Sequence, residues 1–397
     1  MKVLMLSWEY PPHIVGGLGK HVAELSPALA RQGMTLHIVT PVWGREEHTN
    51  ERGLYIHRIA APSGLYPDFY SQAVQTNEAL THACEVLWEE KGPFALIHNH
   101  DWLTSFTARE LKHKFKVPLL ATIHATERGR GRGYLGSEEA HKINDAEWWL
   151  TYEAWRVICC THYMAEEIQR YFDTPADKID VIPNGVDPRP FQELEGLDLS
   201  DFRLRYALPH EKIVLYVGRI VYEKGVRILV QAIPKVLHDV PEAKFVIAGK
   251  GPELANIQAL AEELGVSQKV YMPGFIDNDE RNRLYKVADC AVFPSLYEPF
   301  GIVALEAMAA RTPVVVSEVG GLREVVRHGE TGITIYPNDP DSCAWGIIHT
   351  LQHPEWARQR VENAYQEVLT VYNWDSIAAR TIEVYQRIVD ERARTDW

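Results

Sequence analysis

One stretch of the chain predicts a strand, a loop and a helix in immediate succession: Cys290-Ala-Val-Phe-Pro-Ser-Leu-Tyr-Glu298-Pro-Phe-Gly301-Ile-Val-Ala-Leu-Glu306. Its apolar start, Cys290 to Pro294, is short and ends at a proline, which is typical of a buried strand. The residues from Ile302 to Ala310 are apolar apart from Glu306, which indicates a helix covered by other parts of the protein. A strand followed by a loop and a helix is the repeating unit of a parallel sheet.

The same alternation of short apolar runs and longer helical patterns occurs throughout the chain. In the first half the strand candidates are Lys2 to Ser7, Leu36 to Thr40, Leu96 to Asn99, Leu119 to His124, Val157 to Thr161 and Ile179 to Pro183. In the second half they are Ile213 to Gly218, Lys244 to Gly249, Lys269 to Pro273, Cys290 to Pro294, Pro313 to Ser317 and Gly332 to Tyr336. The pattern predicts an α/β protein with two doubly wound, Rossmann-like domains.

A turn and an acidic stretch separate the two halves. The segment Asn184-Gly185-Val186-Asp187-Pro188 has the composition of a turn, and Gln192 to Asp201 shows no clear period. We predict domains over residues 1–190 and 191–374, and a C-terminal helix within 375–397 that crosses back to the first domain. Two such domains facing each other form a cleft at the carboxyl ends of both sheets, where open α/β sheets bind their ligands.

Composition and charge disfavour several classes of protein. The 397 residues carry a formal net charge of -13, whereas nucleic-acid-binding proteins hold phosphates with clustered Lys and Arg. The chain shows neither an apolar run of membrane-spanning length nor a cleavable leader. Its five cysteines form no C-x-x-C pair, so buried, reduced thiols are expected. These features predict a cytoplasmic protein without a nucleic-acid partner.

The loop after the first predicted strand contains Gly16-Gly17-Leu18-Gly19 ahead of the helical pattern Lys20 to Arg31. Glycines let a ligand approach the backbone, and the N–H groups at a helix start favour an anion. A dinucleotide fingerprint would require a glycine where this chain has Val22. An oxidoreductase is therefore disfavoured. A tight turn that binds no ligand is the alternative interpretation of this loop.

Two loops of the second half place charged side chains at one sheet edge. Arg219 and Lys224 follow the first strand of that half, where a guanidinium and an ammonium suit a diphosphate; solvated loop charges are the alternative. Glu298 lies at the mouth of a later loop, and Glu306 lies in the helix that follows it. Because the neighbours of Glu306 are apolar, this acid is expected to have a partner.

Motifs that occur in a fixed order along the chain give it a resemblance to a known family. They are Glu9-Tyr10-Pro11-Pro12 with Gly16-Gly17-Leu18-Gly19, His100-Asp101-Trp102, Thr122-Ile123-His124, Asn184-Gly185-Val186-Asp187, Gly218-Arg219 with Lys224-Gly225, and Glu298-Pro299-Phe300-Gly301 continuing to Glu306. Over nearly its whole length the chain resembles the retaining glycosyltransferases of family 4, of the GT-B fold, near the glycogen and starch synthase-like members. The resemblance implies transfer of a hexosyl group from a nucleotide-diphosphate sugar to an acceptor hydroxyl.

The resemblance also implies roles for individual residues. The catalytic set is Glu298 and His124 at the transferred sugar, Lys224 and Arg219 at the diphosphate, and Asp101 on the acceptor side. The donor-binding set is Gly16, Gly17, Arg219, Lys224, Gly274, Phe275, Ile276, Glu298, Phe300, Gly301, Ile302, Val303 and Glu306. Within that set, the amides of Gly17 and of Gly301 to Val303 would hold the diphosphate. Glu306 would contact the ribose, and Gly274-Phe275-Ile276 would line the base.

No metal and no cofactor are expected. The segment Asp277-Asn278-Asp279 resembles a D-x-D metal motif, but its place before the predicted helix Glu280 to Ala288 favours a helix N-cap. His98 and His100 lack a third ligand at a recognisable spacing. Charge on the departing diphosphate is instead expected to be stabilised by protein cations.

The acceptor is the least determined partner. The synthase-like motifs favour a saccharide, with UDP-glucose as the expected donor and glycogen-type elongation from ADP- or UDP-glucose as the alternative. Arg128, Arg130 and Arg132 follow His124 and would suit an acidic or lipid-linked saccharide, whereas a solvated loop is the alternative. Lys20 stands where bacterial glycogen synthases usually have an acid. A nucleotide-sugar-binding protein without catalysis is the alternative of another class.

A basic group raises the question of peripheral membrane contact. It consists of Lys112, His113, Lys114 and Lys116, which follow apolar residues on one predicted helix. Such helices dock some glycosyltransferases at the inner face of a membrane. A solvated helix face is the interpretation that the sequence favours.

Overall fold

The computed structural model describes residues 1–51 and 53–396, and these form two compact units. The first unit contains Met1–Gly185 together with the chain from Trp374 onward, and the second contains Val186–Asn373. The predicted boundary at residue 190 falls inside the second unit. The reason is that the Val186 N–H already donates to the Tyr372 carbonyl, at 2.9 Å, within that unit.

An eight-stranded sheet forms the centre of the first unit. Its strands are β1 (Lys2–Leu6), β2 (Thr35–Val42), β3 (Glu47–Glu51), β4 (Leu54–Ala60), β5 (Leu96–His100), β6 (Leu119–Ile123), β7 (Arg156–Cys159) and β8 (Ile179–Val181). In space they follow the order β3-β4-β2-β1-β5-β6-β7-β8. Each strand runs parallel to its neighbours, except that β3 is antiparallel to β4.

Helices cover both faces of this sheet. They are α1 (Gly17–Arg31), α2 (Phe69–Lys91), α3 (Ser105–Phe115), α4 (Glu127–Arg130), α5 (Glu138–Glu153) and α6 (His162–Phe172). Alternate residues of β1 enter two separate cores: Leu4 and Leu6 pack with α2 and α3, whereas Val3 and Met5 pack with α1. The first unit is therefore doubly wound, as predicted.

A six-stranded, all-parallel sheet forms the centre of the second unit. Its strands are β9 (Lys212–Val217), β10 (Ala243–Ala248), β11 (Val270–Gly274), β12 (Cys290–Phe293), β13 (Val314–Ser317) and β14 (Ile333–Ile335). Their order is β11-β10-β9-β12-β13-β14. The helices are α7 (Arg189–Gln192), α8 (Ser200–Leu204), α9 (Val226–Asp239), α10 (Leu254–Glu263), α11 (Asn278–Val287), α12 (Ile302–Ala309), α13 (Leu322–Val325), α14 (Pro340–Gln352) and α15 (Pro354–Thr370).

The last helix, α16 (Trp374–Arg392), belongs to the first unit and packs on α1. The Trp374 indole N–H donates to a Glu24 carboxylate oxygen at 2.6 Å, and Arg31 pairs with Asp375 at 2.6 Å. Its Tyr385 is fully buried in the core between α1 and the sheet. The helix therefore completes the first unit instead of extending the second.

Each of the twelve predicted strands corresponds to a strand of the structure. The two strands that were missed are β3 and β4. All of β3 consists of polar residues at the sheet edge, and β4 alternates apolar with polar residues. Neither contains the short continuous apolar run that marks a strand buried on both faces.

The five cysteines are buried thiols, as predicted. Burial raises the pKa of Cys343 to about 12, and it raises the pKa of Cys84, Cys160 and Cys290 as well. Within the described part of the chain, no helix combines the length and the apolar character needed to cross a bilayer.

Candidate functional site

Two loops of the second unit pack directly on each other at the carboxyl edge of its sheet. One runs from the end of β9 to Gly225, and the other runs from the end of β12 to Gly301. Gly225 has φ +65° and lies against the Pro294 carbonyl, so a side chain there would collide with the second loop. The Leu296 N–H also donates to the Glu223 carbonyl at 2.8 Å. The two loops therefore form one site.

Lys224 and Glu298 form an ion pair in this site, with 2.7 Å between Nζ and Oε2. Their side chains are largely buried, with 20% and 11% of their surface exposed. The Ser295 hydroxyl lies 3.4 Å from the same carboxylate oxygen. Burial and the nearby Glu298 charge raise the pKa of the Tyr216 phenol, which therefore stays neutral. The structure thus brings two predicted catalytic residues into contact.

Arg219 lies on the first loop but is more open to solvent. Its side chain is 52% exposed, and its nearest acid is Glu223, 3.4 Å away. The Tyr216 hydroxyl donates to the Arg219 carbonyl at 2.8 Å, which fixes the backbone of the loop. Exposed ion pairs contribute little to stability. The Arg219 guanidinium can therefore leave Glu223 and bind a ligand with only a small loss of free energy.

The second loop ends at the first turn of α12. Gly301 has φ +107°, and a side chain there would meet Leu322, so glycine is needed to start the helix at this angle. Phe300 is buried, while Ile302 and Val303 are half-buried. The first N–H groups of a helix have no partner within that helix. Such N–H groups favour an anion.

Glu306 is buried in α12 and has the partner that its apolar surroundings predicted. The Arg281 guanidinium lies 3.3 Å from its Oε1, and the Tyr285 hydroxyl lies 3.4 Å from its Oε2. Burial, then the Glu306 charge, raises the pKa of Tyr285. Sequence reasoning did not find Arg281 or Tyr285, because both lie on α11 and no motif links that helix to α12.

The predicted base-lining segment, Gly274-Phe275-Ile276, follows β11. Phe275 is 71% exposed, and the Lys250 ammonium lies over its ring, 5.7 Å from the ring centre. Just beyond, Asp277 caps α11 by accepting the Glu280 N–H at 2.8 Å. The N-cap interpretation of the D-x-D segment is therefore confirmed.

The glycine loop of the first unit leads into α1. Gly16 and Gly17 are exposed, and one Glu9 carboxylate oxygen accepts the N–H groups of Val15 and Gly16, each at 2.9 Å. A side chain at Gly19 would meet the Glu9 side chain at 2.7 Å. Glu9, which the sequence indicated only as part of a motif, therefore shapes the predicted anion-binding turn.

Four histidines form a cluster beside this helix. The His100 Nδ1 lies 3.1 Å from the His124 Nε2, and the His21 Nδ1 lies 2.6 Å from the Asn184 side-chain oxygen. His98 bonds Tyr385 and Thr122 at 2.7 Å each. The four imidazoles come from α1, β5 and the loop after β6. The resemblance implied a role for His124 but did not predict the cluster, because no sequence spacing connects these elements.

Burial keeps the cluster uncharged. It lowers the pKa of His124 to about 3, and it lowers the pKa of His21, His98 and His100 well below the usual value. Among residues 1–51 and 53–396, His21, His100 and His124 form the one group with three potential metal ligands, within 4.8 Å of one another. His21 and His124 come from elements that no sequence spacing links to His100.

Asp101 lies next to the cluster but is buried, with 6% of its surface exposed. Its Oδ1 accepts the His124 N–H at 2.7 Å, and its backbone has φ +57°. Burial raises the pKa of its carboxyl group to about 6. In this structure Asp101 therefore fixes the backbone of the loop that carries His124.

The two basic segments of the first unit already have partners. Arg130 lies 3.6 Å from Glu127, and the Arg128 guanidinium lies 5.3 Å from the Tyr171 ring centre. The segment folds as α4, which Thr126 caps by accepting the Gly129 N–H at 2.9 Å. Of the predicted membrane-docking group, Lys112 and His113 pair with Glu153, and Lys114 pairs with Glu85.

Two family descriptions match successive parts of the chain. Residues 15–189 match Glycosyltransferase Family 4, and residues 203–367 match Glycosyl transferases group 1. An uncharacterized glycosyltransferase of Methanocaldococcus jannaschii is 41% identical over 99% of this chain and 100% of that protein. A glycogen synthase of Mycobacterium tuberculosis is 34% identical over 97% of this chain and 94% of that protein.

A solved structure with the same two-domain α/β fold covers nearly the whole chain. Sucrose-phosphate synthase from Thermosynechococcus elongatus has a TM-score of 0.83 and 26% identity, over 98% of this chain and 99% of that chain. Two Rossmann-like α/β domains with parallel sheets define the protein as a GT-B glycosyltransferase. The chain belongs to the family 4-like glycosyltransferases of the glycogen and starch synthase type.

Proposed function

We propose that the protein transfers a glucosyl group from UDP-glucose to a saccharide acceptor in polysaccharide biosynthesis, with retention of anomeric configuration. The observation that carries the proposal is the buried Lys224–Glu298 ion pair, 2.7 Å long, next to the first turn of α12. As the anomeric bond breaks, negative charge develops on the diphosphate, and fixed cations and N–H groups stabilise it. The Mycobacterium tuberculosis relative is named for glycogen, a glucose polymer, which supports glucose as the transferred sugar.

The mechanism follows from the charges of the second unit. Lys224 and Arg219 neutralise the diphosphate, while Glu298, already paired with Lys224, accepts a hydrogen bond from a sugar hydroxyl. The acceptor oxygen forms the new bond to the anomeric carbon on the face that the phosphate leaves. The departing phosphate oxygen takes the acceptor proton, so no protein nucleophile is required.

The neutral imidazole of His124 is proposed to hydrogen-bond the transferred sugar, and no metal or cofactor is assigned to the reaction. Two alternatives keep the same donor loops. One is elongation of an α-glucan from ADP- or UDP-glucose, as the name of the glycogen synthase relative suggests. The other is a protein that binds nucleotide sugars without catalysis.

A donor panel tests the proposal. Purified protein is given UDP-glucose, ADP-glucose, GDP-glucose, UDP-galactose and UDP-N-acetylglucosamine, each with water alone, maltoheptaose or glycogen. We expect UDP-glucose to give the fastest turnover, an α linkage by NMR, and full activity after EDTA treatment. A β linkage would overturn retention, and no turnover with any donor would leave a binding protein. Loss with EDTA, restored by a divalent cation, would direct attention to His21, His100 and His124.

A further inference from the structure

The spacing of three clustered histidines matches that of metal ligands. His21, His100 and His124 each offer one ring nitrogen, and these atoms lie within 4.8 Å of one another. The His100 Nδ1 and the His124 Nε2 are 3.1 Å apart. In a tetrahedral zinc site with Zn–N bonds of about 2.0 to 2.1 Å, two ligand nitrogens lie about 3.3 Å apart. The His100–His124 pair therefore already has the separation of two zinc ligands.

The His21 ring is held in place by Asn184. Its Nδ1 donates to the Asn184 side-chain oxygen at 2.6 Å, so neutral His21 has its lone pair on Nε2. In the described part of the chain, that Nε2 has no hydrogen-bond partner, although His21 is only 4% exposed. Metal-binding imidazoles are usually oriented in this way, by donation from the other ring nitrogen to an oxygen. Asn184, which the sequence indicated only as part of a motif, thus orients His21.

His100 is a second buried imidazole with an unsatisfied nitrogen. Its side chain is fully buried, and its Nε2 has no hydrogen-bond partner among residues 1–51 and 53–396. His98 differs, because Tyr385 and Thr122 bond both of its nitrogens. A buried polar atom without a partner calls for an explanation such as a bound water or ion. Two such atoms in one cluster favour a ligand that binds several nitrogens at once.

The ligand atoms select the class of cation. Burial lowers the pKa of all three imidazoles, so at neutral pH they present lone pairs, as metal binding requires. Imidazoles suit zinc, copper, nickel and iron, whereas magnesium, calcium and manganese prefer oxygen ligands. Three imidazoles with a fourth position open to water are an established zinc arrangement. The cluster therefore fits Zn²⁺ better than the magnesium or manganese that many nucleotide-dependent enzymes use.

We propose that His21, His100 and His124 bind Zn²⁺ and that the bound ion inhibits the transfer reaction. The inhibition rests on the proposed function, in which His124 hydrogen-bonds the transferred sugar. As the anomeric bond breaks, that sugar becomes positively charged, and a dication on the neighbouring imidazole opposes this change. The metal-free enzyme is thus the active form, which agrees with the full activity expected after EDTA treatment.

Cobalt titration of the full chain, first treated with EDTA and then freed of the chelator, tests the site without a donor. We expect the visible absorption bands of four-coordinate Co²⁺, which Zn²⁺ abolishes by displacement. His21→Gln and His100→Gln should each bind about 100-fold more weakly, because loss of even an outer partner of a metal site costs roughly 10- to 100-fold. His57→Gln is the matched control and should bind like the wild type. Its ring nitrogens lie 3.1 Å from the His37 Nδ1 and 3.0 Å from the His48 Nδ1, in a second histidine cluster of the first unit.

Steady-state release of UDP from UDP-glucose tests the inhibition. Rates with and without Zn²⁺ are compared within each protein, so that a change in the basal rate does not enter. We expect Zn²⁺ to slow the wild type and His57→Gln by about tenfold or more, and to leave His21→Gln within about twofold of its metal-free rate. Equal slowing of all three proteins would mean that Zn²⁺ acts on UDP-glucose itself, and it would overturn the inhibition.

The outcomes separate this inference from the proposed function. Co²⁺ bands that depend on His21 and His100 support the metal site even if no donor is turned over, and the inhibition alone would then fall with the proposed function. Turnover of UDP-glucose by a wild type that gives no Co²⁺ bands overturns the metal site and leaves the proposed function intact, whether or not the variants fold. Equal bands in both variants would overturn the site as well. Activity that is lost with EDTA and restored by Zn²⁺ would overturn the inhibition.

Discussion

Both units are built on a doubly wound sheet, but the site residues of the second unit are charged, whereas the histidine cluster of the first unit is neutral. At the site of the second unit, buried side chains are charged and paired, as in Lys224 with Glu298 and Arg281 with Glu306. In the first unit the buried cluster around His124 is uncharged, because burial lowers the pKa of each imidazole. Paired cations suit a diphosphate, whereas neutral hydrogen-bonding groups suit hydroxyls.

Substitutions at the two sites should also differ in how strongly they destabilise the protein. Removing one member of a buried ion pair leaves the other charge without compensation, which is strongly destabilising. Removing one neutral imidazole costs a hydrogen bond and some packing. Substitutions at the Lys224–Glu298 pair should therefore have larger effects than substitutions within the histidine cluster.

The largest effect is expected for Lys224→Ala. It removes the cation that we propose for the diphosphate and leaves the buried Glu298 without its ion-pair partner, and a charge-assisted hydrogen bond alone is worth roughly 1.5 to 3 kcal/mol. We expect kcat/KM to fall about 100-fold and UDP to bind more weakly, by steady-state kinetics and calorimetry. Arg219→Ala, at a side chain 52% exposed, should lose about tenfold.

Lys235→Ala is the matched control for these variants. Lys235 also pairs with a carboxylate, Asp341, at 2.9 Å, but its side chain is 53% exposed, so kinetics should remain those of the wild type. Wild-type kinetics in both Lys224→Ala and Arg219→Ala would remove the phosphate assignment. It would also mean that the charged site of the second unit serves the fold alone.

A decrease in pH is expected to have an intermediate effect, on the stability of the first unit. The pKa of His124 is about 3 in the folded protein and about 6.5 when unfolded, so its contribution to stability is complete above pH 6.5 and is lost as the pH falls towards 3. Five further buried or half-buried histidines of the first unit act in the same sense: His21, His37, His57, His98 and His100. Burial raises the pKa of Asp101 and Glu147, so these two carboxyl groups offset part of the stability that is lost at low pH.

We therefore expect the Tm to drop by on the order of 5 °C or more between pH 7.5 and pH 5, measured by differential scanning calorimetry. His124→Gln removes one titrating imidazole and should reduce the drop. His238→Gln is the control, because its side chain is 86% exposed and should leave the drop unchanged. An equal Tm at both pH values would contradict a neutral, buried cluster.

The same contrast explains what the sequence could predict. Strands buried on both faces form continuous apolar runs, and the loops that follow them carry Arg219, Lys224 and Glu298 within a few residues of each strand end. These features are local, so the sequence could predict the fold and could place these three charged residues in loops at the strand ends. The histidine cluster was not, because His21 and His124 belong to different elements and only tertiary packing joins them. The Glu306–Arg281 pair shows both cases: burial predicted a partner, but only the structure identifies it.

The smallest effect is expected for the triple variant Arg128→Gln, Arg130→Gln and Arg132→Gln. Arg128 already lies over Tyr171 and Arg130 lies near Glu127, so these guanidiniums are engaged within the first unit. A neutral acceptor needs none of them, and we expect unchanged hydrolysis of UDP-glucose and transfer to glycogen within about twofold of the wild type. The charge-preserving triple replacement by lysine is the control. A tenfold fall in transfer to a lipid-pyrophosphate-linked saccharide, reversed in the lysine variant, would instead assign an anionic acceptor, and the first unit would then hold charge at its site as the second unit does.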